Sequence, residues 1–482
     1  MSKNIKSVSN PKLKLEVLTK EEVQKIHEAT LWIIEHVGVR FPSQRALEIW
    51  EANGATVDRD KKIVKVKGDV IEQALTKCPP AYPLSARDPQ QDLSLDGNHV
   101  YLGTDGCGVE VIDIHTGQKR TSCLGDVHDI ARVADATEEV AFHWVPVSAQ
   151  DTPPETRGLY EIKTIWENST KHVQTESIYS VHEAKAAMEM AALLVGGKDK
   201  LKDRPILSLM QCTAPPLGHD GGSLEAALIA AEHGIPTGFM TMAACMTTGP
   251  VTLAGNLAVG NAEVIAATAL LQLAYPGAPV FYAAAQTASD PRLGCYTGGG
   301  PEDYLFGAAT NVLSDFYNIP LSMGAFATGA KEPNWQAGLD GALSSFMASV
   351  VMSDMLLGCG FLHGSRIWSY AEMMMDCEIF SIVQKMMQGI VVNEETLALE
   401  TIANVGPGGH YLAQKHTRKH MRELFMPEFM DRRPYSQWEE KKDDAREWAV
   451  NKARKILKEH QPEPLDRKIS EEMAKIIQSV EK

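Results

Sequence analysis

No two of the eight cysteines in this chain of 482 residues form a CxxC pair; they are scattered at positions 78, 107, 123, 212, 245, 295, 359 and 377. Together with the lack of an HExxH helix or a Cys/His zinc pattern, this excludes the common zinc and dithiol chemistries. A Walker loop, a GxGxxG turn after a first strand and a GxSxG elbow are also missing. Doubly wound enzymes that use NAD or S-adenosylmethionine carry an early Gly-rich turn, and this chain has none. Lys and Arg number 47 against 62 Asp and Glu, a net charge of −15, with no basic stripe. Nucleic acid and anionic membrane are therefore excluded as partners. The N-terminus, MSKNIKSVSNPKLKLEVL, is polar and lacks the apolar core of a signal peptide. The most apolar stretches, such as Val251–Leu271, are interrupted by Gly, Thr, Asn or Glu, so they read as buried helices rather than membrane spans. Free cysteines inside predicted strands and helices behave as small hydrophobes and suit a reducing compartment. The expectation is a cytoplasmic enzyme with no metal site.

What is present is repetition. Apolar, strand-like runs recur at His99–Asp105, Val140–Val147, His172–Ile178, Ile206–Cys212, Thr237–Ala243, Val280–Thr287, Leu321–Thr328 and Asp354–Leu362. Their starts are roughly 25 to 45 residues apart, close to one strand–helix unit each. The intervening stretches are mostly rich in Ala, Leu and Met. Eight such units predict an α/β fold, a (β/α)8 barrel, with chemistry at the C-terminal ends of its strands. One alternative concerns the first run. His115-Thr116-Gly117 is a turn signal, and Val100–Gly103 followed by Val109–Ile114 also reads as a β-hairpin. On that reading the first run leaves the barrel and the count falls by one.

The flanks read differently. Thr19 with Glu22 three residues on is a capping box, and Val23, Ile26, Ile33 and Val37 give the helix that follows one apolar face, ended by Gly38. A second helix runs from near Ser43 to Gly54, a short strand spans Ile63–Val66, and a further helix Asp69–Thr76. At the other end, Trp438–Lys458 predicts one charged amphipathic helix, stopped by Pro462 and Pro464, and Ile469–Val480 a last one. The expected organisation is an N-terminal helical and hairpin extension (1–98), the barrel (99–380) and C-terminal helices (381–482) that form an outer wrapping or an oligomer contact, with a homo-oligomer expected.

The strand-end rule ranks the candidates. His363 closes the eighth run, where it is either a polar contact to a ligand or a histidine bonded to backbone. Gln286 with Thr287, Glu176, and Thr213 with His219 hold corresponding positions on other runs. After the sixth run comes Cys295-Tyr-Thr-Gly-Gly-Gly-Pro-Glu-Asp303. Gly298, Gly299 and Gly300 permit close backbone approach to a ligand or cofactor, or an unusual φ. Pro301, Glu302 and Asp303 then open a helix, and the two acids there exclude a phosphate loop. Aromatic residues are only 7% of the chain, yet Trp144, Phe281, Tyr282, Tyr296, Phe326, Trp335, Phe361, Trp368 and Tyr370 gather near strand ends. They serve as core packing or as a lined pocket, in which a ring face attracts a quaternary ammonium by up to about 2 kcal/mol when desolvated.

Four segments carry a family resemblance: Ile34-Glu-His-Val-Gly-Val-Arg-Phe-Pro-Ser43, Asp105-Gly-Cys-Gly-Val-Glu110 with the following Asp-x-x-Thr-Gly, Thr297–Glu302, and Lys331-Glu-Pro-Asn-Trp-Gln-Ala-Gly338. The chain resembles the trimethylamine methyltransferase superfamily over about residues 15 to 460. The resemblance implies a (β/α)8 barrel that moves a methyl group from an amine to the cobalt of cobalamin on a separate corrinoid protein, which docks at the barrel top. Founding members carry pyrrolysine; every position here is one of the twenty standard residues. That departure points to the branch without pyrrolysine, whose donors are quaternary amines. Glycine betaine or proline betaine is the expected donor. Carnitine, γ-butyrobetaine, a tertiary amine, a barrel that docks the corrinoid without turnover, and an unrelated barrel lyase or isomerase are the alternatives. A betaine carboxylate needs a cationic or amide partner, for which Arg366, Arg292, His363 and Gln286 are the candidates. His363, Gln286 and Glu176 are the expected polar machinery, and Tyr282, Tyr296, Trp335 and Phe361 the expected cation-friendly wall.

Overall fold

The computed structural model describes residues 17–481 except Cys107 and Thr297. The N-terminal stretch read for a signal peptide (1–16), Cys107 of the Asp105–Glu110 motif and Thr297 of the glycine loop lie outside the described residues. Eight parallel strands close a barrel: β1 Tyr101–Thr104, β2 Val140–Trp144, β3 His172–Thr175, β4 Leu207–Cys212, β5 Thr237–Thr241, β6 Val280–Ala284, β7 Leu321–Gly324 and β8 Met355–Cys359. Each strand lies in one of the eight apolar runs. The helices that follow them are α1 Leu124–Ala136, α2 Arg157–Asn168, α3 Val181–Val195, α4 Gly221–Glu232, α5 Leu253–Ala274, α6 Pro301–Tyr317, α7 Trp335–Val350 and α8 Tyr370–Met387.

The first run stays in the barrel. Its Tyr101 and Leu102 pair with Met355 and Leu356 of β8, and Leu102 and Gly103 with β2. The hairpin is a separate structure just beyond it, in which Glu110–Ile112 pairs antiparallel with Lys119–Thr121 across the His115–Gly117 turn. The eight-strand reading therefore holds and the hairpin alternative does not. Alternation could not separate them, because a parallel barrel strand is apolar on both faces.

Inside the barrel, Phe142, Trp144, Met210, Met240, Phe281, Ala283, Met355 and Leu357 form one apolar cluster. A hairpin, Tyr82–Leu84 with Leu93–Leu95, adds Leu84, Leu93 and Leu95 to it. The Tyr82 hydroxyl donates to the Val280 carbonyl at the start of β6, 2.7 Å away. This hairpin closes the N-terminal end of the barrel, which leaves the C-terminal end for a site. Size complementarity fixes the filling. A Cβ on Gly238 would fall 2.1 Å from the Phe281 ring.

The capping box is present: Thr19 Oγ1 accepts from Glu22 N–H at 3.3 Å and Glu22 Oε2 accepts from Thr19 N–H at 2.9 Å. The helix it opens, Lys20–Trp32, passes into a π-helical turn over Ile33–Val37. The extra residue per turn carries Ile34 inward and leaves Val37 exposed. Lys20–Trp32 and Gly68–Leu75 pack on α5. This apolar helix is long enough to span a membrane, but it is largely covered by protein. At the far end, Ala445–Glu459 packs on α8 and α1, and Arg467–Val480 on α3 and α2. The expected single helix Trp438–Lys458 is two: Tyr435–Lys441 and Ala445–Glu459. Lys442 breaks it with φ 52°, and Asp444 caps the second piece by accepting from Arg446 N–H and Glu447 N–H.

Candidate active site

The open end of the barrel is lined with acid. The inward register of the strands puts Asp105 just past β1, Trp144 at the end of β2, Glu176 just past β3, Cys212 at the end of β4 and Met242 just past β5. Asp105, Trp144 and Glu176 are buried, while Met242 is 44% exposed. The chain after Asp105 crosses the face of Trp144 so closely that a Cβ on Gly106 would fall 2.5 Å from the indole, and only glycine fits. The Trp144 indole N–H has no hydrogen-bond partner among the described residues.

The loop after β8 folds back over this floor. His363, Gly364 and Ser365 all have left-handed φ, at 56°, 64° and 60°, a conformation that costs energy in residues with a side chain and concentrates at functional sites. It turns the Ser365 hydroxyl onto Asp105 Oδ2, while Gly106 N–H donates to Oδ1 at 2.9 Å. Burial pushes the Asp105 carboxyl up to about 6 against these two donors. The loop after β6 supplies Tyr296, whose ring lies against Gly364. Burial raises its phenol, and Asp303 and Asp105 add to the rise. Burial, then Glu176 and Asp105, push the Cys212 thiol up to about 12, so it is held neutral and is no thiolate nucleophile.

Asp303, in the first turn of α6, accepts from Thr287 Oγ1 at 2.8 Å, and burial pushes it up to about 7. It borders a cavity of about 630 Å³, also lined by Cys245, Met246, Leu253, Asp290 and Glu302. Tyr296 therefore couples electrostatically to the acid on the barrel axis and to the acid of this cavity. The charges acting on Tyr296 and Cys212 are carboxylates in every case.

The structure brings Glu176 and Tyr296 into this mouth and disperses the other expected residues. Gln286 faces outward to α5, its Nε2 donating to the Asn256 carbonyl and to Asn256 Oδ1, both at 2.8 Å. Tyr282 also faces α5, its hydroxyl donating to Asn261 Oδ1 at 3.1 Å. Phe361 is buried edge-on against Trp368, ring centres 5.3 Å apart. Trp335 is 79% exposed at the first residue of α7. Arg292 pairs with Asp290 at 2.6 Å. His363 and Arg366 are exposed on the rim loop. Gly298, Gly299 and Gly300 have φ of 70°, 74° and 124°, and the approach they permit is internal. A Cβ on Gly299 would fall 2.6 Å from the Asp340 carboxyl, which also accepts from Tyr304 and Thr328 hydroxyls at 2.7 Å. Asp105 and Ser365 were not among the expected residues. Asp105 ends the first run by the same strand-end rule that picked Glu176.

Buried acids and an indole thus gather around the axis at the C-terminal end of a (β/α)8 barrel, where enzymes of this fold carry their chemistry. The chain matches the family model described as trimethylamine methyltransferase (MTTB) over residues 1–481, and it belongs to that family of methyltransferases. It is 33% identical over 462 residues to the trimethylamine methyltransferase MttB of Desulfitobacterium hafniense DCB-2, covering 96% of this chain and 93% of the relative. It is 32% identical over 467 residues to the glycine betaine methyltransferase of D. hafniense Y51, covering 96% and 97%. In fold it is similar to the monomethylamine methyltransferase MtmB of Methanosarcina barkeri, with a TM-score of 0.51 at 13% identity over 91% of this chain and 92% of that one. An MtmB complex with hydroxylamine gives a TM-score of 0.55 at 13% identity over 92% and 89%.

Proposed function

We propose that this protein transfers a methyl group from a quaternary amine to cob(I)alamin carried by a separate corrinoid protein, releases the tertiary amine, and uses no S-adenosylmethionine. The observation that carries this reading is the clustering of acids at the mouth, where Glu176 and Asp105 act on Cys212, Asp303 and Asp105 act on Tyr296, and Asp303 borders the adjoining cavity. A quaternary ammonium needs no proton or metal to leave. Its methyl carbon is attacked in line, the C–N pair returns to nitrogen, and a neutral amine departs. The protein's task is then positioning, exclusion of water and modest cation stabilisation. Positive charge disperses from nitrogen in the transition state, so a tight cage would stabilise the ground state more than the transition state. Carboxyls at about 6 and 7 supply graded negative charge instead. The corrinoid enters as a co-substrate from the open end, since the Tyr82–Leu95 hairpin blocks the other. No pyrrolysine occurs in the sequence, in line with a donor that is already activated.

The docking face and the oligomer contact then lie at opposite ends. Barrel helices run antiparallel to their strands, so α8 ends far from the mouth. The chain from there to residue 430 is an arm exposing Ile390 (92%), Leu412 (85%) and Leu424 (70%), and Glu378 holds its return by accepting from the N–H groups of Phe429 and Met430. A second copy of the chain is its proposed cover.

The test is anaerobic visible spectroscopy with cob(I)alamin and one donor at a time: glycine betaine, proline betaine, carnitine, γ-butyrobetaine, choline and trimethylamine. Loss of the cob(I)alamin band with growth of methylcobalamin for a quaternary donor is expected. Turnover only with S-adenosylmethionine, or none with any donor even when a corrinoid protein is supplied, would overturn the reading.

A further inference from the structure

Resting on the reading above, we infer that the preferred methyl donor carries a net positive charge, a trimethylammonium group on an uncharged alkyl or hydroxyalkyl arm, and that zwitterionic betaines are disfavoured. A betaine brings a carboxylate within a few bonds of its ammonium, and that carboxylate needs a cation or several N–H donors. Of the groups that the strand-end argument nominates, the Gln286 amide is committed elsewhere, donating to Asn256 behind β6. The Arg292 side chain is 84% exposed and its charge is already paired with Asp290 at the cavity's edge. Lys331, near the same rim, gives its ammonium to the Gly329 carbonyl. Arg366 and His363 stand exposed on the outer loop. Inside the mouth the fixed groups are Asp105, Glu176, Asp303, the Tyr296 phenol and the Cys212 thiol. A substrate carboxylate placed among them meets like charge in a site that already raises its own acids.

One further group points to the arm of the donor. The Trp144 indole N–H is buried beside Gly106 and Asp105 and has no partner among the described residues. A hydroxyl oxygen accepts from that N–H and donates in turn to a neighbouring carboxylate, whereas the methyl-bearing cation is balanced by the acids themselves. A choline-like molecule meets both demands, and tetramethylammonium meets the charge alone.

The experiment compares choline, tetramethylammonium, trimethylamine and glycine betaine at pH 7.5 by two readouts on the full-length protein: quenching of intrinsic tryptophan fluorescence on binding, and methyl transfer to cob(I)alamin. Choline and tetramethylammonium are expected to bind at least tenfold more tightly than glycine betaine and to exceed it in kcat/KM by a similar factor. D105N is expected to shrink that ratio. D303N is the second variant should D105N fail to fold. Glycine betaine bound or turned over best, or a loss of its turnover in R366A, would overturn the inference. Cations bound selectively with no methyl transfer would uphold the charge rule and overturn the methyl-transfer reading. Trimethylamine as the preferred donor would uphold the charge rule and overturn the quaternary one.

Discussion

Asp105 sits where one proton changes the charge of the whole mouth. Its carboxyl is held at about 6 by burial, opposed by the Ser365 hydroxyl and the Gly106 N–H, and Asp303 lies at about 7. Both groups are neutral below these values and anionic above them, so affinity for a cation increases as pH rises. We predict that kcat/KM for a quaternary donor climbs about tenfold between pH 5.5 and 8, with KM carrying most of the change. D105N is expected to lower kcat/KM by about 10- to 100-fold and to flatten the lower part of that profile. An unchanged profile in D105N would remove Asp105 from the site. Asp105 was as legible in the sequence as Glu176, since both follow a strand-like run. Gln286 was equally legible and faces the other way. The direction of a side chain at a strand end depends on the parity of the strand, and in β6 both faces are apolar: Phe281 and Ala283 inward, Tyr282 and Ala284 outward. Only closure of the barrel decides which face is inside.

At the scale of elements, α8 carries a consequence for stability. Glu372 and Asp376, one turn apart, are buried side by side. Burial pushes Glu372 up to about 8, and burial together with Glu372 raises Asp376 well above its ordinary value. Raised folded-state values mean that the native protein binds more protons than the unfolded chain across this window. The stability they contribute is full below about pH 4.5 and is lost as pH rises through about 8. Glu161, also pushed up to about 8, acts in the same sense. Thermal unfolding should therefore show Tm falling between pH 6 and 9, and E372Q should reduce that fall by about 2 °C or more. A slope unchanged in E372Q would contradict this origin. Elements were read well wherever a local signal decides them: the Thr19 capping box, Gly38 as a stop, and the eight strand runs. The misses came where tertiary contacts override a continuous pattern. The charged stretch through Glu439, Lys441 and Asp444 keeps helical periodicity. Asp443 accepts from the Trp448 indole at 2.9 Å and pairs with Arg433 at 2.8 Å, which anchors the chain where Asp444 starts a new helix. Similarly, the π-helical turn rotates the face on which Val37 was expected.

For the molecule as a whole, the barrel divides its labour between two ends. The mouth holds the acids, and the opposite end is plugged by a hairpin and carries the apolar arm. Exposed apolar side chains gathered on one arm of an acidic, well-charged protein are the basis for proposing an interface there. The arm should place the protein in a symmetric oligomer, and a double substitution I390D/L412D should shift its mass in analytical ultracentrifugation toward the monomer without changing methyl transfer at the far end. A monomeric parent protein would contradict this. The central claim is that one methyl group passes from nitrogen to cobalt within the acidic mouth. Its most direct test follows the carbon. A quaternary donor labelled with 13C in its N-methyl groups is incubated without oxygen with the protein and cob(I)alamin, and the products are followed by NMR. The account predicts labelled methylcobalamin and the doubly methylated tertiary amine appearing in equal amounts, with no S-adenosylmethionine present. Label remaining wholly in the donor, or leaving it without appearing on cobalt, would contradict it.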